Sequence, residues 1–270
     1  MGSVYQRWNI HHRLQHILLF VSFIVLALTG LPLKYAAKAW AVKLSALLGG
    51  LNTMLTIHKA AAVVMIIAAV YHLGYLLYCK LVAKESSRAM IPTWKDVTDV
   101  LDHMAYCLGM TTKDAQFGRY SYKEKFDYWA VFWGIAIMVG SGLILWFPQI
   151  SAQYVSRTVI DCAQVAHSDE AMLAIMAVFV WHFYNAHFSP LVFPMNKVWL
   201  DGKFSEEEMK EFHPLELRHE TPPVAGTKAA TAVYGGSRFR RSSILIAIQM
   251  IVYAVILIWF LHGFLPLGLM

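Results

Sequence analysis

The chain has 270 residues, of which 58% are hydrophobic and only 15% charged, with a net charge of +6. A soluble domain of this size is nearer half apolar, so the composition and a mean hydropathy of +0.49 exclude an ordinary soluble protein and point to a chain that crosses a membrane several times. The three cysteines, Cys79, Cys107 and Cys162, form no Cys-x-x-Cys and no Cys-x-x-Cys-His, which excludes a covalently attached c-type haem and a cysteine-ligated zinc or iron–sulfur site.

Five apolar stretches approach the roughly 20 residues that a helix needs to cross a bilayer. In chain order they cover about Leu14 to Leu33, Met54 to Leu81, Tyr128 to Phe147, Ala171 to Phe193 and Ile244 to Leu265. The first is long enough to span and is followed by no small-residue cleavage site, so it is expected to remain as an anchor. The fold class expected is an all-α membrane protein: a four-helix bundle plus a fifth transmembrane helix.

Between the spans, charge sets the orientation. The N-terminus and the segments 80–125 and 194–242 carry 18 of the 23 Lys and Arg residues, whereas the 34–53 and 148–168 loops carry four. Basic residues stay on the cytoplasmic side. The N-terminus is therefore expected inside a bacterial inner membrane and the C-terminus, after five spans, in the periplasm. Residues 85–125 mix aromatic and charged side chains and are expected to pack. The run from Ser205 to Lys210 fits a short helix opened by a Ser cap. Residues 221–242 are rich in Pro, Gly, Ala and Thr and suit a flexible linker, which divides the chain into 1–220, 221–242 and 243–270.

A duplicated hairpin is visible. Leu28-Thr-Gly-Leu ends the first span, and Ser141-Gly-Leu-Ile-Leu-Trp-Phe-Pro ends the third. Each is followed, 25 to 28 residues after its Gly, by a histidine, and then by a second histidine 14 or 15 residues later.

Six of the twelve histidines, His16, His58, His72, His167, His182 and His187, fall in or at the ends of the spans. Ionisable side chains in a membrane helix are costly and mark functional positions. His58 and His72 lie nearly on one helical face, about 21 Å apart along the axis. His167 and His182 are about 60° off one face, and His187 lies about 140° beyond His182 in a regular α-helix. His58 and His167 share the outer level; His16, His72 and His182 share the inner one. Imidazoles at two depths, with no Asp or Glu inside the apolar stretches, suit stacked bis-histidine haems of b type. Six ligands allow three haems, one outer and two inner. Alternatively two haems take four ligands, and two histidines serve a quinone or a propionate. Arg13, Lys59 and Arg119 are the candidate cations for haem propionates at the membrane boundary.

These residues resemble the cytochrome b (gamma) subunit of membrane-bound formate dehydrogenases and related bacterial b-type cytochromes, including those of hydrogenases. The resemblance covers the first 220 residues or so. It rests on Arg13-Leu-Gln-His16, Leu28-Thr-Gly-Leu, His58, the run from Phe117 to Trp129, and Gly142-Leu-Ile-Leu-Trp-Phe-Pro. His167, Trp181-His-Phe-Tyr-Asn-Ala-His and the run from Glu206 to Glu216 complete it. It implies an outer haem held by His58 and His167, and an inner haem held by His16 and His182. It also implies exchange with a menaquinone or ubiquinone pool and a redox partner subunit. That partner is an iron–sulfur dehydrogenase or hydrogenase subunit, or a multihaem cytochrome c. His72, His187 and the fifth span stand outside that pattern, and Ile17 replaces its usual Trp.

The function expected is a membrane-anchored electron-transfer subunit of an oxidoreductase complex, not catalytic alone and with no nucleic-acid partner. A freestanding quinol-linked superoxide or ferric reductase on the same bundle is the alternative. A metal or proton transporter would cluster histidines with carboxylates near the midplane, which this pattern does not do.

Overall fold

The computed structural model describes residues 3–84, 87–189, 192–193 and 195–219. The expected linker and fifth span lie outside the described residues. Those described divide into two compact units: residues 3–175 with 197–219, and residues 176–196. Among the described residues, four helices are long and apolar enough to cross a membrane: Ile10–Lys34, Leu51–Ala83, Tyr122–Trp146 and Arg157–Phe188.

In the larger unit, strand β1 (Val4–Gln6) leads into α1 (Ile10–Lys34), and α2 (Ala39–Leu47) fills the following connection. Helix α3 (Leu51–Tyr78) ends in a π turn at Cys79–Ala83, and α4 (Trp94–Cys107) precedes α5 (Tyr122–Trp146). After α6 (Pro148–Tyr154) comes α7 (Arg157–Met176), and then α8 (Val198–Asp201), β2 (Lys203–Ser205), α9 (Glu206–Phe212) and α10 (Pro214–His219). Helix ends are set by local chemistry. The Asn9 side chain accepts from the His12 amide at 3.0 Å to open α1. Capping boxes open α4 (Thr93 with Asp96), α5 (Ser121 with Glu124) and α9 (Ser205 with Glu208), each answering amides that the helix leaves unpaired.

The membrane-facing surface is apolar and exposed, as Ile67, Val70, Leu73 and Leu77 on α3 show. Lipid needs no hydrophobic residue inward, so the helices meet through small and hydroxyl residues instead. Ser22, Thr29, Ala61, Ala68 and Ser141 are buried. Each of these hydroxyls donates to the carbonyl four residues back: Ser22 to Leu18 at 2.7 Å, Thr29 to Val25 at 2.7 Å, Ser141 to Ile137 at 2.6 Å. A hydroxyl in an apolar bundle is thereby satisfied within its own helix.

The helices overrun the apolar stretches that predicted them. Helix α5 starts at Tyr122, six residues before its expected span, and α7 starts at Arg157 rather than near 171. Hydropathy marks the lipid-buried part of a helix, whereas hydrogen bonding continues it into polar flanks. Asp161, Asp169 and Glu170 therefore lie within the fourth membrane-length helix, and His167 sits ten residues inside α7 instead of opening it.

In the smaller unit the helix is not α. Ala177–His182 and Tyr184–Phe188 are π-helical. The expected 140° between His182 and His187 assumed 3.6 residues per turn. The wider π turn brings their rings to 6.3 Å, because residues i and i+5 lie about one π turn apart.

At the N-terminal end of α1, a small cap forms. β1 and β2 pair antiparallel, with Tyr5 opposite Phe204, over a core of Tyr5, Phe204 and Met209. Glu216 bridges two guanidiniums: Arg7, and Arg119 at 2.7 Å. His213 is 3% exposed; its Nδ1 donates to the Gly118 carbonyl at 2.7 Å. Burial holds its imidazole below the usual range; neighbouring Arg7 acts in the same direction, while Glu124, Glu216 and the Gly118 carbonyl act against it. An unfolded chain takes up this proton near pH 6.5, and the folded cap does so only at lower pH. The stability that neutral His213 contributes is therefore present above about pH 6.5 and is lost as pH falls toward the folded-state value. Hydrogen-exchange protection of residues 203–217 is expected to fall between about pH 7.5 and about pH 5.5 in the wild type but not in His213→Gln. Equal protection at both values in the wild type contradicts this.

Candidate functional site

The two hairpins of the predicted repeat build the same device. Thr29 follows from α1 and His58 from α3; the Thr29 hydroxyl lies 2.8 Å from His58 Nδ1. Ser141 comes from α5 and His167 from α7, and that pair lies at 3.0 Å. Each hydroxyl has already donated its proton to the carbonyl four residues back. It can only accept from the imidazole, so each ring carries its proton on Nδ1 and presents an unprotonated Nε2. That is the tautomer a metal ligand needs, fixed by an outer hydrogen bond.

The two ring centroids lie 6.4 Å apart, with the ring planes at 70° to each other. Two metal–imidazole bonds of about 2.0–2.1 Å back to back put the ligating nitrogens about 4 Å apart and the ring centroids a little over 6 Å apart. The observed spacing thus admits one metal between the rings. Among the described residues, no group of three or more His, Cys, Asp or Glu side chains could hold a metal ion. Two opposed imidazoles with no further protein ligand suit an iron whose other four ligands come from a planar macrocycle.

Glycine makes room for the rings. A Cβ on Gly30 would stand 3.3 Å from His58 Cε1, and one on Gly142 would stand 3.1 Å from His167 Cε1. Both glycines follow the locking hydroxyl directly in sequence. Beside the site, Lys34 Nζ bonds Ser168 Oγ at 2.5 Å and Asp169 Oδ1 at 2.6 Å, which ties the end of α1 to α7 next to His167. Lys59, adjacent to His58, holds its ammonium 5.5 Å from the Trp146 ring centroid.

The remaining predicted residues of the larger unit sit toward the cap. His72 Nδ1 lies 2.9 Å from Gln15 Oε1, and its Nε2 lies 3.0 Å from the Tyr128 hydroxyl. The amide oxygen accepts from Nδ1–H, and Nε2 accepts the tyrosine proton. Both ring nitrogens of His72 are therefore taken by α1 and α5. The His16 ring packs among Trp8, Phe20 and Trp199, with centroids at 5.3, 5.8 and 6.2 Å. Trp199 Nε1 and Arg13 Nε are buried and have no hydrogen-bond partner among the described residues. Arg119 binds Glu216 and the Arg7 carbonyl, the latter at 2.8 Å, and so belongs to the cap. In the smaller unit, His182 and His187 stand side by side, and the His187 Nδ1 is buried without a hydrogen-bond partner among the described residues.

Thr29, Ser141, Gln15, Tyr128 and Lys34 were not anticipated as site residues. Thr29 and Ser141 left a signal, a hydroxyl immediately before the glycine in both halves of the repeat.

A family model described as prokaryotic cytochrome b561 matches residues 7–198. Three curated relatives carry the name "Formate dehydrogenase, nitrate-inducible, cytochrome b556(Fdn) subunit". They come from Escherichia coli K12, Escherichia coli O157:H7 and Shigella flexneri, and each is 28% identical over 128 residues. The match takes in 47% of this chain and 57% of the length of each relative.

Proposed function

This chain belongs to the prokaryotic cytochrome b561 family, and from that premise we propose that it carries electrons across a bacterial inner membrane between a quinone pool and a partner redox subunit. It is a multi-pass membrane cytochrome of b type, and the family implies haem b. The observation that carries the proposal is the pair His58 and His167, opposed at 6.4 Å with both Nε2 atoms freed by hydroxyls on Nδ1.

In this reading two haems are bound. His58 and His167 hold one, and the other takes the histidine pair that the sequence resemblance implies for it. When bound, haem b supplies a one-electron carrier that amino-acid side chains lack. The chain's own residues do the rest. Thr29 and Ser141 hold the tautomer, and Gly30 and Gly142 leave space for the imidazoles. Lys59 and Arg13 serve propionates at opposite membrane boundaries. His72, with both nitrogens engaged by Gln15 and Tyr128, ties three helices together and is not a ligand. His187 is left for a hydrogen bond to a quinone or a propionate. In this reading the N-terminal side faces the cytoplasm, which the concentration of basic residues on that side supports. The partner is an iron–sulfur dehydrogenase or hydrogenase subunit or a multihaem cytochrome c; the relatives' names, each that of a formate dehydrogenase subunit, favour the first.

Two experiments follow. Added to the purified chain in liposomes, a short-chain menaquinol or ubiquinol is expected to reduce the b-type absorbance bands. Bands that respond to dithionite but to neither quinol would remove the quinone pool from the account. Thr29→Val and Ser141→Ala are each expected to weaken haem retention about tenfold to a hundredfold, the range seen when a ligand's outer hydrogen bond is lost. Transfer of haem to an excess of apomyoglobin measures it, and unchanged transfer rates in both variants would show that the hydroxyls do not set the ligands.

A further inference from the structure

A second cluster lies away from the membrane bundle, at the junction of α4 and α5. Helix α4 is two-sided. Trp94, Val97, Leu101, Met104 and Leu108 form an exposed apolar stripe. Asp96, Asp99, His103 and Cys107 follow one another at helical spacing on the other side, where Asp96 meets Lys125 of α5 at 2.8 Å. At the end of that polar face, His103 Nδ1 lies 2.6 Å from Asp114 Oδ1, and its Nε2 lies 3.7 Å from Cys107 Sγ. The Tyr122 ring packs on the same imidazole at 6.2 Å, and Lys123 Nζ approaches the same Nε2 at 3.2 Å. Cys107 is exposed.

A carboxylate orients an imidazole, and the imidazole's far nitrogen reaches a thiol. This is the order of groups that activates a cysteine nucleophile. Lys123 approaches the same nitrogen, so the imidazole that the sulfur contacts is held between a carboxylate and an ammonium. Among the described residues, neither Cys79, buried in the π turn after α3, nor Cys162, exposed on α7, shows a comparable neighbour.

We propose that Cys107 is a modification site, a nucleophilic thiol that undergoes exchange with low-molecular-weight disulfides. The Cys107 proton passes to His103 or to water. The thiolate attacks one sulfur of the disulfide, a new S–S bond forms on Cys107, and the original S–S bond breaks. The departing thiolate then takes up a proton. Cys107 is oxidised and the small disulfide reduced, with no other reactant. The site is independent of what the bundle binds, and its modification places a bulky polar group on the connection that leads into α5.

Glutathione disulfide is the probe, with the full-length purified protein and peptide mass spectrometry to locate and time the adduct. Adduct is expected first on Cys107. Its formation is expected to slow about tenfold in His103→Ala and by a smaller factor in Asp114→Asn. Absorption spectrum and elution volume show whether each variant remains folded. If His103→Ala does not, Asp114→Asn and Lys123→Met carry the comparison, each slower than wild type. Adduct forming first on Cys162, or a Cys107 rate unchanged by every folded variant, or a rate no faster than in the urea-unfolded chain, overturns the proposal.

Discussion

His58→Ala and His167→Ala are each expected to lose one haem per chain and to keep the other. The reason is geometric. The two imidazoles stand 6.4 Å apart on separate hairpins, each locked by its own hydroxyl, and nothing else among the described residues offers a third ligand there. With either imidazole removed, the group that the pair would hold keeps a single protein ligand, and its loss or a changed spectrum is expected. Pyridine haemochrome titration of the purified variants reads the count, and the reduced spectrum reports the haem that stays. Two low-spin haems in both variants would mean that the pair is not the ligand set. Replacement by Ala opens space inside the bundle, so a small exogenous imidazole is expected to restore the lost absorbance. Rescue of that kind separates a missing ligand from a misfolded bundle.

The second large effect separates His72 from the ligands. His72→Phe is expected to retain both haems, whereas His182→Ala is expected to lose one. His72 satisfies Gln15 on one side and Tyr128 on the other. Its replacement leaves those two polar groups unpaired in an apolar setting, at a cost of about 1–3 kcal/mol. The expected signature is therefore a lower unfolding temperature with an unchanged haem count. A double change, His72→Phe with Tyr128→Phe, is expected to recover part of that loss, because one unpaired partner is removed along with the histidine. Loss of a haem in His72→Phe would instead restore three haems per chain to consideration.

Much of this was legible in sequence, for identifiable reasons. Spans show because hydropathy reports directly on lipid burial, and the Ser205 cap shows because its chemistry is local. The repeat was visible as Thr29-Gly30 and Ser141-Gly142, each followed by a histidine at matching distance. The role of the hydroxyls was not, because it depends on which atom receives each proton. Thr29 and Ser141 become acceptors for imidazole only because both donate backward within their helices. The start of α7 was misplaced because Asp161, Asp169 and Glu170 hide its first turns from a hydropathy reading. The π turns around His182 and His187 were out of reach for a different reason. Helical phase was counted at 3.6 residues per turn, and no residue type announces where that count changes. His72 shows the remaining limit: its position on a helical face was readable, but its two partners come from α1 and α5 and exist only in three dimensions.

The most direct test of the central claim is the haem content and spin state of the purified wild-type chain. Two b-type haems per chain are expected, both low-spin in the oxidised form, as ligation by two imidazoles each would require. A chain that takes up no haem under conditions that supply it, or whose haem is high-spin, would contradict the assignment of His58 and His167 as opposed ligands.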